Sequence, residues 1–150
     1  MRLTEHFTLE ELTVSETAAR CGIDNTPSQD ILPNLRYLSR QLEAIRAAIG
    51  KPIHVNSGFR CLEVNGALGS KPTSAHIRGL AADIIAPQFG TAFELCKAVA
   101  ALEDLNFDQV IYEFRSWCHV GFCESGSTPR QQLLTIISAK TGYQAGLLNI

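Results

Sequence analysis

The chain has no run approaching the ~18 consecutive apolar residues of a membrane-spanning helix, and no long block of like charge. The first absence predicts a protein without a membrane span. The second, with a formal net charge of −2 and 19% charged residues, excludes the basic surface by which nucleic-acid-binding proteins neutralise phosphates, so DNA and RNA are not expected partners. CxxC spacing is missing too. Five cysteines, Cys21, Cys61, Cys96, Cys118 and Cys123, are an odd number at irregular intervals, the usage of reduced thiols rather than of a disulfide framework. The opening residues Met1 to Glu11 carry acids where a secretory signal needs an apolar core, so synthesis in the cytoplasm without a signal peptide is expected. There is no internal repeat and no low-complexity linker. A length of 150 residues with 45% hydrophobic side chains suffices for one core, and residues 1–150 are read as a single domain.

What is present begins with helix signals. Thr8-Leu9-Glu10-Glu11 is a capping-box pattern, and Ser15 opens a second short helix that Gly22 can stop. Ile31, Leu32, Leu35, Leu38, Leu42, Ile45 and Ile49 recur at helical intervals before Gly50 and Pro52, predicting the longest helix over 31–49. Further on, Ile53 to Ser57, Ala81 to Ala86, Gln109 to Phe114 and Trp117 to Phe122 read as strands, with Leu133 to Ile137 as an edge strand. A helix opened by the capping box at Thr91 lies among them. The stretch from Gly142 to Ile150 has little periodicity and reads as a loosely docked tail.

The chemistry concentrates in Ser74-Ala75-His76-Ile77-Arg78-Gly79-Leu80-Ala81-Ala82-Asp83-Ile84, with His119 downstream. Two imidazoles and one carboxylate form a zinc donor set that leaves the fourth tetrahedral position open to water, the mark of a catalytic rather than a structural site. Gly79 interrupts any helix joining His76 to Asp83, which predicts a loop histidine folding back on a strand aspartate. A single His-to-Asp spacing is a weak signal by itself. Cys118 adjoins His119, but neighbouring strand residues point to opposite faces, which argues against it as a ligand. His6 and His54 lie outside the constellation and are expected in ordinary surface or core roles.

Ser57-Gly58-Phe59-Arg60, then Ser74-x-His76-x-x-Gly79-x-Ala81-x-Asp83-Ile84, then Trp117-x-His119-Val120 resemble, in that order, the M15 zinc peptidases. The nearest branch is the small phage and prophage type, comprising D-alanyl-D-alanine carboxypeptidases and peptidoglycan endopeptidases. The resemblance implies an α+β fold, a small antiparallel sheet flanked by helices as in the hedgehog signalling domain, here with added N-terminal helices. It implies Zn²⁺ held by His76, Asp83 and His119, Arg60 binding and polarising the substrate, and Ser74 touching it near the scissile bond. A guanidinium can hold a carboxylate or stabilise the oxyanion of an attacked carbonyl. The implied partner is a peptidoglycan peptide; the protein is expected to be a monomer that reaches the wall through lysis-type release or virion delivery.

The general base departs from the family pattern. In many members an acid stands three residues before the second histidine, where this chain has Ser116, which is no base at neutral pH. Glu113 is the replacement candidate. In one straight strand it would lie about 20 Å from His119 at ~3.3 Å per residue, so a turn is required. If Arg115-Ser116-Trp117 forms a three-residue hairpin loop, Phe114 pairs with Cys118 and Glu113 falls directly opposite His119. Asp108 is the poorer candidate, read as a turn residue at a strand start. Trp117 is expected either to wall the cleft or to pack beside the sheet. A non-enzymatic alternative is a peptidoglycan-binding or virion assembly module on the same fold. The residues do not choose among the D-alanyl-D-alanine terminus, the cross-link and the L-alanyl-D-glutamate bond.

Overall fold

A computed structural model describes residues 1–150. The predicted capping signals act as the local chemistry dictates. The Thr8 hydroxyl accepts a hydrogen bond from the Glu11 N–H to start α1 (Leu9–Thr13), and Ser15 does the same for Ala18 in α2 (Glu16–Cys21). Each side chain satisfies a backbone donor that the first helical turn leaves without a partner. Gly22 closes α2 in the left-handed region at φ 65°. Helix α3 (Leu32–Ile49) follows the predicted stripe, burying Leu35, Leu38, Leu42 and Ile45 completely. At about 1.5–3 kcal/mol for each buried aliphatic side chain, this face anchors the core.

Six strands form one sheet: β1 (His54–Ser57), β2 (Ala81–Ile85), β3 (Gln109–Glu113), β4 (Trp117–Gly121), β5 (Gln132–Ile136) and β6 (Tyr143–Ala145). Their spatial order is β1-β2-β4-β3-β5-β6. Helix α4 (Leu62–Ala67) and a 3₁₀ turn (Ala75–Arg78) intervene between β1 and β2, and α5 (Ala92–Ala100), capped by Thr91, between β2 and β3. Neither α4 nor the 3₁₀ turn was apparent in the sequence pattern, since each is too short to show a period. No helix is long and apolar enough to cross a membrane.

Two expectations about the C-terminal region need correction. The segment predicted as an edge strand is internal: β5 pairs in parallel with β3 on one side and antiparallel with β6 on the other. The sheet is antiparallel at every other junction. The supposedly loose tail supplies β6, and its continuation is tied down by the buried Thr135, whose hydroxyl donates to the Gly146 carbonyl and accepts from the Leu148 N–H. Three residues of strand give no measurable alternation, so this pairing had no signature in the sequence.

Strand alternation sorts the sheet into two faces. Val55, Ala82, Ile84, Val110, Tyr112, Cys118 and Val120 join the same hydrophobic core as α3 and α5. Asp83, His119, Ile111, Glu113 and Trp117 share the opposite face through their pairings.

Candidate metal centre

Three backbone devices bring the predicted residues together. Asp83 and His119 are direct cross-strand partners on β2 and β4. His76 arrives on the 3₁₀ turn, whose first residue is capped by Ser74: the Ser74 hydroxyl accepts from the His76 N–H at 3.3 Å. The turn ends at Gly79 in the left-handed region, φ 71°. A Cβ there would also lie 2.9 Å from Ile31, so glycine is needed twice over, for its conformation and for its lack of side chain.

The Ser57-Gly58-Phe59-Arg60 segment is a splint between α1 and this turn. The Phe59 N–H donates to the Leu12 carbonyl at 2.7 Å and the Arg60 N–H to the His76 carbonyl at 3.1 Å. A Cβ on Gly58 would stand 2.4 Å from the Leu12 oxygen, a backbone atom that cannot step aside. The Gly58 carbonyl accepts from His76 Nδ1 at 2.7 Å. Because a carbonyl can only accept, Nδ1 carries the proton and Nε2 presents its lone pair inward. Buried Asn25 completes the splint by donating to the Thr13 and Phe59 carbonyls and accepting from the Cys61 N–H.

The result is a buried group of three potential ligands: His76, Asp83 and His119. His76 Nε2 lies 3.2 Å from His119 Nδ1 and 3.4 Å from Asp83 Oδ1, and His119 Nδ1 lies 3.0 Å from Asp83 Oδ1. Zinc bonds of about 2.0–2.2 Å in a tetrahedral centre separate neighbouring ligand atoms by roughly 3.3–3.6 Å. The donor set suits a zinc ion, and the observed separations come within about 0.3 Å of that spacing. Gly121 leaves room for this arrangement, since a Cβ on it would come within 3.3 Å of His119 Nε2.

The electrostatics are tightly linked. Burial alone would push the Asp83 carboxyl up, yet the charges and hydrogen bonds of His76 and His119 hold it well below the usual carboxylate range. Burial draws His76 down against the pull of Asp83. It also opposes charging of His119, but there the hydrogen bond to Asp83, then the charges of Asp83 and Glu113, prevail and raise the imidazole. The Arg60 guanidinium donates to Asp83 Oδ2 at 3.1 Å and through Nε to the Ser57 hydroxyl at 3.1 Å. Arg60 thus engages the carboxylate oxygen that faces away from the histidines, a contact its motif did not reveal.

Glu113 reaches the site by a register different from the one expected. The hairpin loop is Phe114-Arg115-Ser116, so Glu113 pairs with Trp117 and it is Ile111 that stands opposite His119. Phe114 and Arg115 both adopt positive φ, 53° and 57°, conformations that the β propensity of Phe114 gave no reason to expect. Trp117 consequently stays in β4, where its ring packs edge-on against Phe114. The shift is by two positions, which preserves the face. Glu113 becomes a diagonal neighbour of His119, with Oε1 3.7 Å from Nδ1, and the Trp117 indole N–H holds that same oxygen at 3.0 Å. Burial raises the Glu113 pKa, opposed by His119 and the indole bond.

The remaining candidates lie elsewhere. Asp108 is bound to Arg130 at 2.7 Å, Ser116 is exposed on the hairpin, and Cys118 is buried on the core face. His6 pairs with Glu43 at 2.9 Å, and His54 is exposed.

A mixed α/β sheet with a buried His-Asp-His cluster on one face, and a carboxylate of raised pKa beside it, has the make-up of a metallopeptidase. A family model described as Peptidase M15 matches residues 5–121, and the chain belongs to that family of hydrolases. A comparison with curated proteins finds no match.

Proposed function

We propose that the protein is a zinc-dependent peptidase that hydrolyses a peptide bond in the stem or cross-link of peptidoglycan, as a D-alanyl-D-alanine carboxypeptidase or an endolysin-type endopeptidase of phage or prophage descent. The observation that carries this reading is the convergence of His76 Nε2, Asp83 Oδ1 and His119 Nδ1 within 3.4 Å of one another, with the Glu113 carboxylate 3.7 Å from His119.

His76, Asp83 and His119 would hold the ion. Zinc with three protein ligands supplies Lewis acidity and acidifies water at its open position. Glu113 takes the proton of the attacking water and delivers it to the departing amine; burial raises its pKa, the direction that strengthens a carboxylate as a base. The indole of Trp117 fixes which carboxylate oxygen faces the reaction. Arg60 orients Asp83 through Nη2, and its Nη1, which has no bond within the chain, is the donor for the carbonyl oxygen as negative charge develops there. Ser74 acts on the ligand set by capping the turn that carries His76.

The test is incubation of the zinc-loaded protein with purified peptidoglycan, followed by mass spectrometry of the soluble fragments. A single new terminus in the stem peptide is expected, absent with Glu113→Gln. A zinc-loaded protein that binds the wall and releases nothing would overturn the peptidase reading in favour of a binding or assembly module.

A further inference from the structure

The family match ends at residue 121, before β5 and β6. Those strands nevertheless extend the face that carries the candidate site. Trp117 pairs with Glu113, Glu113 with Ile136, and Ile136 with Tyr143. Directly paired residues share a face, so these four form one row across β4, β3, β5 and β6. The adjoining row runs from His119 through Ile111 and Leu134 to Ala145. At about 4.8 Å between strands, Tyr143 stands roughly 10 Å from Glu113, with Ile136 between them.

The row has an uneven profile. Ile136 is buried, whereas Tyr143 is 58% exposed on a three-residue edge strand. A large aromatic so placed adds little to the core. Its phenol is raised by burial first and then by the charges of Glu113 and Asp83, with no hydrogen bond contributing. Tyr143 thus keeps its phenolic proton and has no hydrogen-bond partner within the chain, on the face that carries Glu113 and Asp83.

We propose that Tyr143 is a substrate-binding residue, its hydroxyl donating a hydrogen bond to a backbone carbonyl of the peptide where that peptide runs from Glu113 toward the exposed β6 edge. Leu134 and Ile136, the β5 residues of that face, carry no charge, which suits a segment with apolar side chains, as in the alanine-containing part of a stem peptide. This inference rests on the peptidase reading, and it assigns the strands beyond the family match a part in choosing the substrate.

The experiment measures binding of a synthetic stem pentapeptide ending in D-alanyl-D-alanine, by calorimetry, to zinc-loaded Glu113→Gln protein. Adding Tyr143→Phe should raise Kd about 3- to 10-fold, the loss of one hydrogen bond. Gln144→Ala, on the opposite face of β6, should leave Kd unchanged, and zinc content and Tm should not move in either variant. An unchanged Kd with Tyr143→Phe, or no measurable binding of the pentapeptide to the parent protein, would overturn the assignment. Cleavage by the wild-type protein is scored separately: binding that depends on Tyr143 without any cleavage would sink the peptidase reading and leave the substrate contact standing.

Discussion

The two faces of the central strands β2, β3 and β4 follow opposite rules. On one face, Ala82, Ile84, Val110, Cys118 and Val120 are wholly buried among apolar neighbours. On the other, the same strands bury Asp83 and His119, a carboxylate and an imidazole whose desolvation is costly unless they are paired. Cys118 and His119 are adjacent in sequence yet belong to different chemistries. The Cys118 thiol is pushed well up by the neighbouring Cys96 thiol and by burial, so it stays protonated, while the His119 ring joins the buried His-Asp-His cluster. Alternation with a period of two thus separates stability from chemistry within single strands. Changes on the apolar face should act on folding, and changes on the polar face on metal and turnover.

The strongest break in that division would come from Glu113→Ala. It should lower hydrolysis about 10²- to 10⁴-fold while zinc content and thermal stability stay near wild type. An active, zinc-loaded variant would move the base elsewhere. On the opposite face, Ile84→Ala removes a fully buried side chain from the middle of the core. Denaturant melts should show a loss of about 2–5 kcal/mol, with the zinc affinity of the folded fraction unchanged.

A finer test concerns Trp117→Phe, which keeps the ring packed on Phe114 but deletes the donor to Glu113. A hydrogen bond to a charged group is worth about 1.5–3 kcal/mol. Steady-state kinetics should therefore show kcat reduced about tenfold or more with KM within about twofold; a change confined to KM would mean that the indole contacts substrate and does not position the base.

Arg130→Ala, remote from the site, should have the smallest effect. Arg130 is more than half exposed, so solvent screening limits its pair with Asp108 to about 0.2–1 kcal/mol. The hydrogen bond from Arg130 lowers the Asp108 pKa, so the contribution is full above the unfolded value of about 3.9 and is lost as pH falls through the lowered folded value. Melts of the two proteins should differ slightly at pH 7 and converge in strong acid.

The buried His-Asp-His group was legible because its residues occur in spaced motifs, and alternation alone separated His119 from Cys118. Helix starts were legible because capping is a local matter of one side chain and one N–H. The hairpin register was not, since it depends on Phe114 and Arg115 taking positive φ, against the preference of non-glycine residues. The face of Glu113 survived that error because the shift was even. Long-range polar contacts left no local trace: nothing near Asn25 indicates that it clips Thr13, Phe59 and Cys61, and the Arg60 motif does not reveal that Asp83 is its partner. The parallel β3–β5 pairing and the short β6 are likewise decided by tertiary contacts.

His76, Asp83 and His119 are proposed to act as one zinc site. Competition titration of the metal-free protein with a chromophoric zinc chelator tests this directly in the wild type and in His76→Ala, Asp83→Ala and His119→Ala. One tightly bound zinc per chain is expected, weakened more than about 100-fold by each substitution, since losing a ligand should exceed the 10- to 100-fold cost typical of outer-shell changes. Stoichiometric zinc binding that survives His119→Ala undiminished would contradict it.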